Sequence, residues 1–362
     1  MKISVALATY NGAKFVREQL ESVNDQTRAP DELVVVDDGS TDSTLELLAE
    51  FSAHARFPVR VHRHECNLGY TTSFLTAASL CSGDWIAFCD QDDVWLPEKL
   101  AIVERNANRR NVLLIAHSAE LVTDTLESTG SFHPSFQRTR IYRGWQLPTW
   151  WIVEGFALAF RADLLQILVE HERGQGGGKL FMVREGGHDA AISRLARTLG
   201  DVVTLSDCLA LHRCHVESLT TTYMRGDARD IRRSRRIASR ISRILAIDGA
   251  ELFARQSRDS LRQAEIFGRS AYNQEDPVLK GKLMRAEAHY TAYSLWAAER
   301  AGLYQEAETG RRIRRLWHLA RKFGYVRFNG RSMIGMRSCV KDIILDVFVA
   351  ALGSQSMHRT VT

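Results

Sequence analysis

The sequence predicts an α/β fold, a sheet flanked by helices, followed by a helical C-terminal domain. Three observations carry that expectation. Strand-like and helix-like stretches alternate through roughly the first 120 residues, as parallel βαβ units require. Two apolar runs end abruptly in carboxylate clusters, and open α/β sheets meet their ligands at the carboxyl ends of strands. Past about Thr222 the β-type patterns stop while helix-type patterns continue, which divides the chain into domains of 1–222 and 223–362.

Ile3 to Thr9 is apolar enough for a buried strand, and Thr9-Tyr10-Asn11-Gly12 closes it with turn residues. Ala13 to Asn24 reads as a helix, Glu32 to Val36 as a strand and Asp42 to Phe51 as a second helix. Between the last two, Asp37-Asp38-Gly39-Ser40-Thr41-Asp42 supplies helix caps and a glycine for a tight turn. Val59 to His62, Thr71 to Leu80 and Trp85 to Cys89 repeat the scheme. Asp90-Gln91-Asp92-Asp93 follows at once, and Pro97 with Glu98 marks the first turn of a helix that Leu100, Ile102 and Val103 continue. Val112 to Ala116, Ala119 to Val122 and Ile152 to Phe160 look like further strands, and the glycine run in Gly174 to Gly187 like a flexible lid. Ala190 to Thr198 reads as a helix, and Val202 to Leu205 as a strand ending in a turn at Ser206-Asp207. In the second domain Lys282 to Arg300 and Gly310 to Lys322 carry helix patterns.

A composition of 45% hydrophobic and 25% charged residues is ordinary globular material with enough apolar side chains for a large core. The six cysteines show no CxxC spacing and read as reduced thiols. The apolar run Ile3 to Ala8 is too short for a signal peptide or a membrane span. Val340 to Leu352 is too short and too charged to cross a bilayer, so it docks on its own domain or lies on a membrane surface. The net charge of +5 is unevenly spread: the acid sits early and the arginine late. Arg229, Arg232, Arg233, Arg235, Arg236 and Arg240 alternate with Ile231, Ile237, Ile241 and Ile244 near helical spacing. That basic amphipathic helix is either a solvated face or a peripheral contact with an anionic membrane. Nothing in the pattern calls for nucleic acid.

Three carboxylates within four residues raise one another's pKa and oppose folding unless a cation compensates them, and hard oxygen ligands suit Mg²⁺ or Mn²⁺. Two acidic loops at neighbouring strand ends suit a ligand with a nucleoside to grip and a diphosphate to neutralise, as a nucleotide sugar has. Asp38 would then accept from a base or ribose, Asp90 from the ribose, and Asp92 would bind the cation bridging the diphosphate.

Ala8-Thr9-Tyr10-Asn11-Gly12, Val34-Val35-Val36-Asp37-Asp38-Gly39-Ser40-Thr41-Asp42, Asn67-Leu68-Gly69-Tyr70 and Asp90-Gln91-Asp92-Asp93-Val94-Trp95 resemble the ordered motifs of family 2 glycosyltransferases. The last resembles in particular the bacterial rhamnosyltransferase-like branch. The resemblance implies a GT-A fold, meaning a Rossmann-like mixed sheet flanked by helices, together with a nucleotide-sugar donor, a divalent metal and inversion at the anomeric carbon. It implies donor-binding roles for Thr9, Tyr10, Asn11, Asp37, Asp38, Asn67, Asp90 and Gln91, and a metal-binding role for Asp92. Gly187-His188-Asp189 resembles the family's HD pair, which makes Asp189 the general base for the acceptor hydroxyl; the alternative is a helix cap. Leu211-His212-Arg213-Cys214-His215 resembles the aromatic-Arg-x-His segment, which implies Arg213 as a phosphate clamp and His215 as a metal or diphosphate ligand. This chain departs from that segment with His212 in place of the aromatic and Val216-Glu217-Ser218 in the tail. Trp145, Trp150 and Trp151 are either core residues or a stacking surface for acceptor sugar.

Other classes lack their signatures. No G-x-G-x-x-G follows the first strand, no P-loop is present, and Trp95 and Ala101 stand where an EF-hand needs Gly and Glu. A processive synthase would want membrane spans and a QxxRW segment. The expected activity is transfer of one sugar, a deoxyhexose such as that of dTDP-rhamnose, to a surface-glycan or lipid-linked acceptor in the cytoplasm or at the inner face of the plasma membrane. A nucleotidyltransferase of the same metal-diphosphate geometry and an inactive membrane-associated assembly partner are the alternatives.

Overall fold

The computed structural model describes residues 1–147, 151–173, 187–214 and 249–306, with 310–311, 314–315, 318–319, 327–328 and 331–332. The chain divides into two compact units, Met1–Arg229 and Asp230–Thr362. In the first, β1 (Ile3–Thr9), α1 (Val16–Asn24), β2 (Glu32–Asp37), α2 (Thr44–Ser52), β3 (Val59–Arg63), α3 (Tyr70–Leu80) and β4 (Trp85–Cys89) follow one another. The strands β3, β2, β1 and β4 lie side by side and parallel. A central parallel strand is covered on both faces, so it must be apolar throughout. β1, β2 and β4 are accordingly buried at every position, each fully buried aliphatic side chain contributing about 2 kcal/mol. β3 is the edge, and its Arg60, His62 and Arg63 protect that edge from further pairing.

Beyond β4 the sheet becomes mixed. β5 (Val94–Trp95), α4 (Lys99–Ala107), β6 (Val112–Val122), β7 (Ser128–Phe132), β8 (Arg140–Tyr142), β9 (Leu158–Arg161), α5 (Asp163–Arg173), α6 (Gly187–Leu199) and β10 (Asp201–Arg213) complete the unit. The strand order is β3-β2-β1-β4-β9-β6-β10-β5, with β7 on β6 and β8 on β10. β9 is antiparallel to both of its neighbours, β4 and β6.

Several local expectations are corrected. α4 opens on Lys99 behind Glu98, and the carbonyl of Pro97 instead accepts the Thr27 amide at 3.0 Å. The two strands expected on either side of His117 and Ser118 are one, because both polar residues are buried with partners: Nδ1 of His117 bonds the Ser118 carbonyl, and the Ser118 hydroxyl donates to that of Leu205. Only the end of Ile152 to Phe160 is strand; Gly155–Ala157 form a 3-10 turn before β9. Ser206-Asp207 is not a turn. The two exposed residues sit in a bulge within β10, which realigns its ladder with β6 between Leu205 and Ala210. The strand therefore runs on to Arg213 and pairs with β5 beside the acidic loop.

The second unit contains a helical hairpin, α7 (Gly249–Asn273) and α8 (Pro277–Gln305). Asp276 caps α8 by accepting the Val278 amide at 2.8 Å, and Pro277 sits where a missing N–H costs nothing. Phe267 stacks on Tyr290 with centroids 5.4 Å apart. The β signal does not stop entirely at Thr222: Arg327–Phe328 pairs with Arg331–Ser332 on either side of the turn-forming dipeptide Asn329-Gly330. Described residues between 310 and 319 are helical. The glycine-rich stretch 174–186, the basic stretch Arg225 to Arg243 and Val340 to Leu352 lie outside the described residues. No helix among the described residues is long and apolar enough to cross a membrane.

Candidate active site

The ends of β1, β2 and β4 converge because their loops are hydrogen-bonded to one another. The side-chain amide of Gln91 forms a reciprocal pair with the backbone of Tyr10, accepting its N–H at 2.9 Å and donating to its carbonyl at 3.1 Å. Gly12 makes room for this clasp, since a Cβ there would lie 2.2 Å from Oε1 of Gln91. On the other side Asn11, at φ 47°, accepts the Thr41 amide on its side chain at 2.8 Å, and its own amide donates to Ser40. The loop after β1 thus joins the two acidic loops. Tyr10 stands 45% exposed at the junction.

The carboxylates of the first acidic loop are turned inward. Asp37 is fully buried and accepts from Thr9, from the Ser40 hydroxyl and from the Ser40 amide. Asp38 accepts the Leu68 and Gly69 amides, both at 2.8 Å, and pairs with Nδ1 of His64 at 3.0 Å. Burial opposes its charge, but the His64 and amide hydrogen bonds prevail and hold the carboxyl below its ordinary range. Asp37 and Asp38, both expected at the donor, thus already carry partners from within the chain. Asp38 shapes the turn Asn67-Leu68-Gly69, in which Asn67 is exposed and Gly69 takes φ +92°. Thr9 likewise spends its hydroxyl on Asp37.

The second acidic loop is undercompensated. Burial, then the charges of Asp93 and Asp92, push Asp90 well above the usual carboxylate range. Asp93 is fully buried; its Oδ1 accepts Nδ1 of His212 at 2.8 Å and the Arg213 amide at 3.1 Å, while its Oδ2 has no partner among the described residues. The His212 ring stacks on Phe156 at 4.0 Å and 5°. Burial alone would discharge this imidazole, but the charge and hydrogen bond of Asp93, with Asp90 and Asp92 behind, push it up to about 9. Beneath lies Lys99, fully buried, donating to the Phe156 carbonyl at 2.8 Å and sitting 3.8 Å over the Trp95 ring; burial lowers it to about 7. Lys99 and His212 were not expected as site residues. The signal for Lys99 was its place four residues before Val103 and eight before Ala107, on the apolar stripe of its helix.

Arg213, expected as a phosphate clamp, buckles three segments of the chain together. Its side chain is 1% exposed and stacks 4.5 Å over Phe15. It donates to the Asp92 carbonyl at 2.8 Å, to Glu18 at 2.5 Å and to the Asp124 carbonyl. The expected metal residue Asp92 is thereby held by its backbone from the end of β10. His215 lies outside the described residues. Among the described residues no three His, Cys, Asp or Glu side chains form a group able to hold a metal ion. A divalent cation nevertheless fits the loop, because Asp90 and Asp92 offer hard oxygens, Asp90 lies in the field of its acidic neighbours, and Mg²⁺ or Mn²⁺ takes its remaining ligands from water and phosphate.

Asp189 lies in the first turn of α6. It accepts the Ala190 amide at 2.7 Å and is bonded by the Gly155 amide. Burial first, then the neighbouring charge of Glu154, raise it from 3.8 to about 6. It also adds to the field on Asp90, which ties it to the second acidic loop. His188 beside it stacks on Phe74 at 4.2 Å and meets Phe88 edge-on; burial lowers it to about 3, so it is a neutral packing residue. Of the tryptophans, Trp151 is half-buried, Trp145 takes φ 68°, and Trp150 lies outside the described residues. Cysteines 66, 81, 89, 208 and 214 are free thiols.

A parallel β3-β2-β1-β4 sheet with acidic loops at its carboxyl edge, extended by the antiparallel β9, defines a domain of the GT-A class. Residues 4–168, which lie within the first unit, match the family model Glycosyl transferase family 2. An uncharacterized glycosyltransferase of Nostoc sp. is 31% identical over 122 residues, 34% of this chain and 38% of the relative. The abequosyltransferase RfbV of Salmonella typhimurium is 30% identical over 141 residues, 38% of this chain and 42% of the relative. The matches thus cover less than half the length of these relatives. The solved structure of S. aureus TarS 1–349 in complex with UDP-GlcNAc shares the fold at TM-score 0.50 and 17% identity, over 91% of this chain and 95% of that one.

Proposed function

We propose that this protein transfers one sugar from a nucleotide-sugar donor to an acceptor hydroxyl with inversion, Asp189 serving as the base. The observation that carries this reading is the union of three strand-end loops through Gln91 and Asn11, with a carboxyl raised to about 6 beside them. A base needs a pKa near its working pH: high enough to take a proton from a hydroxyl, low enough to be ionised beforehand. Asp189 meets both demands near neutrality. The Ala190 amide, bonded at 2.7 Å, orients this carboxylate.

The donor nucleotide would lie along Tyr10, Asn11, the Asn67-Leu68-Gly69 turn and Asp90. Exposed Tyr10 offers a ring face to the base. Asp92 would hold a bound Mg²⁺ or Mn²⁺, which supplies charge stabilisation to the departing nucleoside diphosphate. The Salmonella relative, an abequosyltransferase, supports sugar transfer as the reaction class. The DQDDVW motif supports a deoxyhexose donor such as dTDP-rhamnose. A surface glycan or a lipid-linked saccharide is the acceptor this reading favours.

Incubation with a panel of nucleotide sugars, with and without Mn²⁺, tests the proposal. One donor should be consumed with release of its nucleoside diphosphate, and Asp92→Asn should cut turnover at least 100-fold. Release of pyrophosphate would assign a nucleotidyltransferase instead, and consumption indifferent to both metal and Asp92 would end the metal assignment.

A further inference from the structure

Glu154 has no role in the donor site, yet it stands at its border. It immediately precedes Gly155, whose amide bonds Asp189, and Gly155 packs so tightly on His188 that a Cβ there would lie 2.8 Å from Nε2. The backbone at Glu154 is therefore fixed relative to the base. Its side chain is fixed as well: Nε2 of His133 holds Oε1 at 2.8 Å. Among the described residues His133 is the side chain that bonds this carboxylate, which is 35% exposed, with His133 41% exposed. A Cβ at Gly187 would lie 3.0 Å from Oδ1 of Asp189 and 3.7 Å from the Tyr70 hydroxyl. Tyr70 itself is 52% exposed. The base thus has an oriented, half-open carboxylate and an exposed phenol in its neighbourhood.

We propose that Glu154, oriented by His133, is the acceptor-recognition residue: its open carboxylate oxygen receives a hydroxyl adjacent to the one Asp189 deprotonates, so the acceptor is a neutral saccharide diol. This deepens, and rests on, the sugar-transfer reading above. A carboxylate is an acceptor-only group and suits a polyol, whose hydroxyls donate. An acceptor that attacks through a phosphate would meet the carboxylates of Glu154 and Asp189 and be repelled by them. Tyr70 adds a ring on which a sugar face can stack.

Glu154 also loads the base electrostatically. The groups facing Glu154 are His133, His212 and Asp189; those facing Asp189 are Glu154, Asp90 and the neutral His188. Removing the Glu154 charge relieves repulsion on Asp189, so the base ionises at lower pH.

The test uses the full chain and the donor it consumes, with methyl hexopyranosides as one acceptor probe and polyprenyl monophosphate as the other. Wild type should use the saccharide. Glu154→Gln should raise the saccharide KM about tenfold with kcat at its plateau changed only a few-fold, and move the acidic limb of kcat to lower pH; about tenfold is what exchanging a charge-assisted hydrogen bond for a neutral one costs. Glu154→Asp, which keeps the charge, should return the limb towards wild type, and matching thermal melts exclude misfolding. An unchanged KM in Glu154→Gln overturns the proposal. So does turnover with the polyprenyl phosphate and none with saccharide, while leaving sugar transfer intact. A wild type that consumes no nucleotide sugar removes both readings together.

Discussion

Replacing Asp189 by Asn should destroy activity and stabilise the protein, and the two effects have the same cause. Folding lifts this carboxyl from 3.8 to about 6, chiefly by burial. Each unit is 1.36 kcal/mol, so holding the ionised form in the fold costs about 3 kcal/mol. The sign follows from linkage. Below 3.8 both states are protonated and no cost arises; between 3.8 and about 6 the unfolded chain ionises first and stability falls; above about 6 the full cost is present. Asn keeps an acceptor for one backbone amide but carries no charge. Weakening of the bonds from Ala190 and Gly155 offsets part of the gain, which leaves about 1–2 kcal/mol, or a rise of about 2–8 °C for a unit of this size. The assay is a thermal melt of both proteins at half-unit steps from pH 4 to 8, beside kcat, which should fall at least 100-fold. Curves that stay parallel through that range, or an Asn variant less stable at pH 8, would refute the burial argument.

Two further substitutions probe the supports of the site. Gly12→Ala places a Cβ 2.2 Å from Oε1 of Gln91 and should break the clasp on Tyr10, costing about 1–3 kcal/mol in denaturant unfolding and weakening donor binding. Adding Gln91→Ala removes the clash, so the double variant should be more stable than the sum of the two singles. Arg213→Lys cannot reach Glu18 and the carbonyls of Asp92 and Asp124 together; it should lower stability by about 2–4 kcal/mol and raise the Mn²⁺ concentration needed for half-maximal activity.

The first half of the sheet was legible because buried parallel strands have to be apolar runs, and Trp85–Cys89 has the bounds its composition suggests. Acidic loops at the ends of β2 and β4 were legible for the same reason. What the carboxylates do there was not. The partners of Asp38 are amides thirty and thirty-one residues away, and those of Arg213 lie 89 to 195 residues away. Residue type announces a charge, whereas the lone pairs already taken by distant backbone are fixed only by the fold. Ser206-Asp207 misled because two polar residues in sequence look alike as a turn and as a bulge, and only the register with β6 distinguishes them.

His212 shows how a departure from the family pattern can be consistent with it. The resemblance expects an aromatic ring there, and the imidazole supplies one: it lies flat on Phe156 at 4.0 Å. Unlike a hydrocarbon ring it also carries a proton for Asp93, whose carboxylate is fully buried and, among side chains, is bonded by this histidine. An apolar ring at this position would leave Asp93 as a buried charge without its cation, at a cost of several kcal/mol. His212 and Asp93 therefore form a unit in which neither residue is tolerable alone. Lys99, lowered to about 7, supplies only partial charge at neutral pH. The fold thus compensates Asp93 from below, while burial and acidic neighbours hold Asp90 well above the usual carboxylate range. That residual demand is what a divalent cation with its diphosphate would meet.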